Sequence, residues 1–363
     1  MRMRTARIFA AAAAVTTLFA LTACNEAASQ PSAADPNTGS ALTAEQTAPL
    51  TEPVTLRVAS TYNLPNGVVV VANELGYFKE EKINFEVEVV ANSQDAIALL
   101  AQGRLDVVTG ALSAGMLNSV ASGLNVRVVS SVSNISAVPG TDTPAPSGLF
   151  IRKELYDSGE FTDFADLKGR TVAAVGGIGS ASSYLVGLYA EKGGLTLNDV
   201  TLKNLSAPDS LAALKSGAVD AAYLAAPFSL QSVSTGIGVE LGKARDVYGA
   251  QTQSALLFGP NLLDRNPRAG AAVMRALKKA QDLMQGDYRK NQQVVDALKA
   301  GAELTDSQVQ DTPPYHTDLV MNPATIEEMQ RMFLGIGNVL TYTDARPVTD
   351  FLDTRFLEAA GVS

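Results

Sequence analysis

From residue 54 onward, short runs of alternating apolar and polar residues are separated by longer stretches of helical spacing. The clearest stretch is Asp95 to Val107, DAIALLAQGRLDV, in which Leu99, Leu100 and Leu105 form an apolar face. Gly103 closes the helix that this spacing predicts, and Asp106 lies in the turn that starts the next strand at Val107. The pattern returns in Asp209 to Ala221, DSLAALKSGAVDA, where Asp209, Leu214, Gly217 and Asp220 match Asp95, Leu100, Gly103 and Asp106. Upstream, Val172-Ala173 match Val58-Ala59 and Asn198 matches Asn84, all at one constant offset. A register held over that length implies one architectural unit built twice. Two units are too few for a solenoid, so the chain reads as two similar α/β lobes.

In the first lobe the pattern predicts a strand over Thr55–Ser60, a polar turn Thr61–Gly67 and a helix from Val68 to Leu75. Strand Phe85–Val90, the Asp95 helix, strand Val107–Thr109, helix Ala114–Ser122 and strand Val126–Val132 follow. Ser133–Ser147 reads as a loop, and Leu149-Phe150-Ile151 as a strand carrying the chain to the second lobe. There the order repeats: strand Thr171–Val175, the glycine-rich GGIGSAS (Gly176–Ser182), helix Ser183–Lys192, strand Val200–Leu205, the echo helix and strand Ala221–Ala225. Ala255–Phe258 brings the chain back. Asn266-Pro267 and Asn322-Pro323 each start a helix, reaching about Gln285 and Ile336. Strands alternating with helices imply parallel sheet and right-handed crossovers.

The first 23 residues do not fit this scheme. Arg2, Arg4 and Arg7 precede an apolar, alanine-rich run from Ile8 to Leu21, and Leu21-Thr22-Ala23 puts small residues before Cys24. This is the layout of a secretory signal peptide (1–23), too short in its apolar run for a membrane span. Asn25 to Pro53, rich in Ala, Ser, Thr, Pro and Gln, reads as a flexible tether of roughly 30 Å mean span. The expected division is therefore 24–53 as mature N-terminus and tether, 54–150 with 255–363 as the first lobe, and 151–254 as the second. The formal charge of −9 becomes about −12 without the three signal arginines, which argues against nucleic acid as a partner. Cys24 is the only cysteine, so no disulfide framework or thiolate metal cluster is expected.

Ligands of open α/β sheets bind beyond the carboxyl ends of the parallel strands. That rule selects Ser60–Asn63, Thr109–Leu112, Gly176–Ser182 and Ala225–Phe228. In the second lobe, Gly179 permits close backbone approach, and Ser180, Ser182 and Ser183 offer hydroxyls beside a helix start whose N–H groups suit an anionic or strongly polar group. A capped turn with nothing bound is the alternative. Facing it, Thr61, Tyr62 and Asn63 are expected to supply the other half of the contact, with Thr109 and Gly110 as floor. Tyr62 and Tyr223 are candidates for pocket walls or for core packing. A dinucleotide site fails, because Ser182 takes the third glycine position after Gly177-Ile178-Gly179 and Asp199 precedes its strand. No phosphate-binding GxxxxGK[ST] loop occurs. His316, the sole histidine, sits in a turn-like Pro-Pro-Tyr-His context and reads as structural. Asp95, Asp106, Asp209 and Asp220 read as element-boundary residues and not as a metal cluster, so no catalytic residue, metal or cofactor is assigned.

In this order, ELGYFKEEKINFEVE, LLAQGRLDVVTG, DLKGRTVAAVGG, LAALKSGAVDAAYLAAPF and DTRFLEAAG resemble the substrate-binding proteins of nitrate/sulfonate/taurine-type ABC importers. These share their fold with thiamine-pyrimidine biosynthesis proteins. The LTAC segment resembles a bacterial lipobox, which implies lipid attachment at Cys24. The resemblance also implies a two-lobed periplasmic-binding-protein fold of type II, with lobes closing about a two-strand hinge near Gly148–Ile151 and Ala255–Gly259. It further implies an extracytoplasmic, membrane-anchored monomer that delivers a small molecule to a permease. The chain departs from the family in having no tryptophan, and Thr61–Asn66 has no basic residue, which leaves the ligand open. An enzyme on the same fold, desulfinase-like or pyrimidine-forming, is the alternative.

Overall fold

A computed structural model describes residues 41–90, 93–135, 138, 145–249 and 251–362. The expected signal peptide and Cys24 lie outside the described residues. Among the described residues, ten strands form two mixed sheets: β1 (Val54–Ser60), β2 (Ile83–Val89), β3 (Val107–Ala111), β4 (Arg127–Asn134), β5 (Ser147–Arg152), β6 (Thr171–Ala173), β7 (Thr201–Lys203), β8 (Ala221–Ala225), β9 (Gly238–Glu240) and β10 (Thr252–Phe258). The first sheet has the order β2-β1-β3-β10-β4 and the second β7-β6-β8-β5-β9. In each, the second strand pairs parallel with both neighbours and the central strand pairs antiparallel with the fourth. The registers match as well: Val58 pairs with Val107 as Val172 pairs with Ala221.

The repeated aspartates enforce this register. Asp106 Oδ2 accepts the Arg57 N–H at 2.7 Å, and Asp220 Oδ2 accepts the Thr171 N–H at 2.9 Å. In return the Asp106 and Asp220 N–H groups donate to the carbonyls of Arg57 and Thr171, each at 2.8 Å. The pair joins the entry of β3 to β1 and that of β8 to β6. Both preceding turns bend through a left-handed glycine, Gly103 at φ +70° and Gly217 at φ +75°. Leu100 and Leu214, fully buried, anchor the helices that lead into them.

Helix-period apolar positions supply the layers over the first sheet. Val68 to Val71 are essentially unexposed in the helix Gly67–Glu74, as are Val273, Ala276, Leu277 and Ala280 in Pro267–Leu283. Asn266 caps the latter, its side chain accepting from the Ala269 N–H at 3.1 Å. A second apolar cluster runs continuously from Ala59 and Leu100 of the first lobe to Leu149 and Tyr184 of the second, through Met332 and Phe333. Those two residues belong to the helix Ala324–Ile336, which packs against Ala181–Lys192 of the second lobe. A Cβ at Gly187 would lie 2.1 Å from Met332 Sδ, so any side chain there would displace Met332 from its present position. Tyr184 Oη donates to Glu328 and Arg331 pairs with Glu191 along the same contact.

Three features differ from the sequence reading. The stretch read as tether up to residue 53 is folded from Thr43 onward. Helix Ala44–Thr47 carries a capping box, Leu50 is buried, and Arg268 and Arg275 bind the carbonyls of Ala48 and Thr47. Those arginines project from the helix Pro267–Leu283, so long-range contacts override a composition that reads as coil. Second, β5 lies wholly in the second sheet and β10 wholly in the first, so the boundaries expected at 150/151 and 254/255 fall inside strands. Third, helix Phe228–Ser234 and β9 add structure after β8 that the apolar pattern did not mark.

Removing the Asp106 carboxylate orphans the Arg57 N–H and takes from the Asn261 amide its 2.6 Å bond to Asp106 Oδ1, leaving that amide its bond to the Gly103 carbonyl. Asp106→Ala is expected to destabilise the fold by about 3 kcal/mol in urea titration. Asp220→Ala, at a more exposed position, is expected to cost about 1–2 kcal/mol. Equal and negligible effects would contradict the role of the two carboxylates.

Candidate functional site

A cleft of about 350 Å³ lies where β1, β3 and β6 end and helices begin. Its first-lobe wall is a polar network that fixes its own geometry. Ser254 Oγ donates to Asn66 Oδ1 at 2.7 Å, and Asn66 Nδ2 donates to Thr61 Oγ1 at 2.7 Å and to Asn63 Oδ1 at 2.9 Å. Thr61 Oγ1 completes the ring by donating to Asn63 Oδ1 at 3.3 Å. Ser93, Ala111, Leu112 and Ser113 continue the surface. Ser113 caps the helix Ala114–Ala121, accepting from the Met116 N–H.

The second-lobe wall is the glycine-rich turn. Gly176, Gly177 and Gly179 all have φ between +63° and +84°, and the turn delivers Ser180 to the N-cap of Ala181–Lys192. Ser180 Oγ donates to the Gly177 carbonyl at 2.7 Å and accepts from the Ser183 N–H at 3.1 Å. Helix geometry leaves the first-turn N–H groups, those of Ala181 and Ser182, facing outward at the positive end of a three-turn helix. The two walls touch: the Gly179 carbonyl accepts from the Ala114 N–H at 2.9 Å. A Cβ on Gly179 would meet Ala114 Cβ and Val339 Cγ1, both at 3.2 Å. Exposed Val175 and Ile178 flank this contact.

Of the residues singled out in the sequence, Thr61, Asn63, Ser180 and Ser182 line the cleft. Gly179 forms the contact between walls. Ser183 is fully buried and donates to the Ser180 carbonyl at 2.8 Å, within its own helix. Thr109 is buried beneath the surface, donating to Ser60 Oγ at 2.7 Å, and Gly110 packs against Ser93, whose Oγ lies 2.1 Å from where a Cβ would stand. The two tyrosines do not form the walls expected of them. Tyr62 adopts a left-handed φ of +43° that turns its ring into the core, where Asn73 donates to its hydroxyl at 3.0 Å. Tyr223 points to the core side of β8 by strand alternation and donates to Ser147 Oγ at 2.9 Å. Burial pushes both phenols up to about 12.

Sequence reasoning missed Asn66, Ser93, Ser113, Gln253 and Ser254. The last two carried a usable signal, a polar pair at the start of an otherwise apolar strand. Among the described residues, none that lines the cleft is titratable. His316 lies elsewhere, beside β4, its carbonyl accepting from the Asn134 N–H at 2.8 Å and burial lowering its pKa. The repeat carboxylates are engaged with backbone, as described above.

Two mixed sheets of matching order, flanked by helices and with a cleft between them, define a two-lobed α/β binding-protein fold of type II. The chain belongs to the NMT1-like family, whose sequence profile matches residues 50–299. No curated protein matches the sequence. Among solved structures, the chain is similar to the MOPS-bound alkanesulfonate-binding protein SsuA from Xanthomonas axonopodis pv. citri, with 20% identity and a TM-score of 0.61 over 81% of this chain and 96% of that one. It is also similar to the periplasmic nitrate-binding protein NrtA from Synechocystis PCC 6803, with 15% identity and a TM-score of 0.61 over 85% and 89%. The desulfurization enzyme DSZB gives 18% identity and a TM-score of 0.54 over 85% and 99%. At such identities the likeness carries the fold.

Gly179→Val places a branched side chain at φ +84° against Ala114 and Val339. The variant is expected to lose the contact between the walls. Small-angle scattering should then show a larger radius of gyration than the parent, with the first-lobe core intact by circular dichroism. An unchanged radius would show that the turn tolerates the side chain and that the contact does not set lobe spacing.

Proposed function

We propose that this protein is an extracytoplasmic solute-binding lipoprotein of an ABC importer, capturing a small anion between its lobes for delivery to a permease. The observation that carries this reading is the cleft itself. It presents neutral donors at the N-terminus of Ala181–Lys192, opposite the fixed Thr61–Asn63–Asn66–Ser254 network. Helix N–H groups and hydroxyls hold an anion without a cationic side chain. The sulfonate- and nitrate-binding proteins that share the fold support an anion of that type. The desulfurization enzyme on the same fold keeps an enzymatic reading in play. A lining of hydroxyls, amides and apolar groups favours binding over turnover, because proton transfer calls for a titratable group within reach of the reacting atoms.

Calorimetric titration with ethanesulfonate, propionate and nitrate tests the reading directly. Saturable binding of at least one anion is expected, and Ser182→Ala should weaken it by about 1 kcal/mol. His316→Ala should leave it unchanged. Failure of all small anions to bind, or release of sulfite from an arylsulfinate, would defeat it.

The proposed anchoring rests on the LTAC segment, since no helix among the described residues is long and apolar enough to cross a membrane. Cys24→Ala is expected to move the protein from the membrane fraction to the soluble fraction or leave it uncleaved. Normal processing with full membrane retention would exclude lipidation at Cys24.

A further inference from the structure

Among the described residues that line the cleft, one shielded side-chain acceptor lacks a donor. Asn63 Oδ1 takes donors from Asn66 and Thr61, Asn66 Oδ1 takes Ser254, and the Gly177 carbonyl takes Ser180. The protein thus satisfies these acceptors itself, while the second-lobe helix start offers donors. Gln253 breaks the pattern. Its Oε1 is shielded from solvent and has no hydrogen-bond partner among the described residues, although the residue lines the cleft.

Its position explains how it comes to be there. Thr252 pairs with Asn134 and Ser254 with Ser133, so Gln253 is the extra residue of a β-bulge between β10 and β4. A bulge re-aims a side chain that regular pairing would hold in the sheet. The Gln253 amide meets the hydroxyl of Tyr315, a phenol that burial keeps protonated. That contact uses one end of the amide, and the other end, Oε1, stays without a partner in a residue that lines the cleft. A buried acceptor without a donor is unfavourable, and a ligand that brings the donor relieves it. The terminal torsion of glutamine is broad, so a small rotation presents the oxygen to a bound molecule.

We propose that Gln253 is the specificity-determining acceptor of this cleft, selecting a small anion that also carries an O–H or N–H donor over a plain anion. The proposal rests on the reading of the cleft as an anion site. The anionic end lies against the Ser182 side and the donor reaches Gln253. A site built to receive a donor discriminates against the analogue that lacks it, because the orphaned acceptor then stays orphaned.

The test is calorimetry on the full protein with two matched pairs, 2-hydroxyethanesulfonate against ethanesulfonate and 3-hydroxypropionate against propionate. In the wild type, the hydroxylated member of at least one pair should bind about tenfold tighter or more. Gln253→Leu should bring that ratio to about one. Gln253→Glu, which keeps acceptors and removes the amide N–H, should retain the ratio even where it weakens both ligands. Equal binding of both members in the wild type overturns this proposal and leaves the anion-binding function standing, and it needs no variant to fold. A ratio that survives in Gln253→Leu, or is lost in Gln253→Glu, also overturns it. If neither member of either pair nor nitrate binds, the anion site fails and this assignment fails with it.

Discussion

Two buried or half-buried carboxylates, Asp106 and Asp220, hold the molecule in register. Each binds the backbone N–H of the strand beside it and returns its own N–H to the same residue, so the entry to one strand is tied to its neighbour twice. Strand register controls which face every later side chain points to, and a slip of one residue would invert the sheet. The end of β3 therefore places Ser113 at the head of its helix, and the end of β6 places the glycine turn at the head of another. Cleft geometry follows from those two ends.

The walls of the cleft reach rigidity by different means. The first-lobe wall uses side chains: Thr61, Asn63, Asn66 and Ser254 consume one another's hydrogen-bonding capacity. The second-lobe wall uses backbone, with glycines in left-handed conformations leading to a capped helix start. Away from the cleft, helix Ala324–Ile336 joins the lobes into one apolar cluster by laying Met332 on Gly187. Any opening of the lobes must then either keep that helix as a pivot or break its apolar contact.

Much of this was legible in the sequence because the chain states it twice. The constant offset between Asp95–Asp106 and Asp209–Asp220 is the same offset that relates the strand registers and the carboxylate bonds. Proline after asparagine marked the helix starting at Pro267, and Thr61, Asn63, Ser180 and Ser182 follow from the rule on strand ends. What escaped depends on contacts distant in sequence. Nothing local to residues 43–53 shows that Arg268 and Arg275 will bind their carbonyls. Tyr62 follows a strand end, where pocket wall and core packing are both open to it, and its left-handed backbone turns it inward. Gln253 enters the cleft through a bulge whose existence depends on β4, more than a hundred residues away.

The bond between the Gly179 carbonyl and the Ala114 N–H has a consequence for how such a protein diversifies. Both partners are main-chain atoms, so no exchange of side chains in the cleft erases the bond, provided the glycine keeps its conformation. Ser93, Ser182 and Gln253 are free to change while the two walls still meet at the same point. Selection on the cargo and selection on the bite act on different atoms. A lineage can reshape the cleft without relearning how its two walls meet.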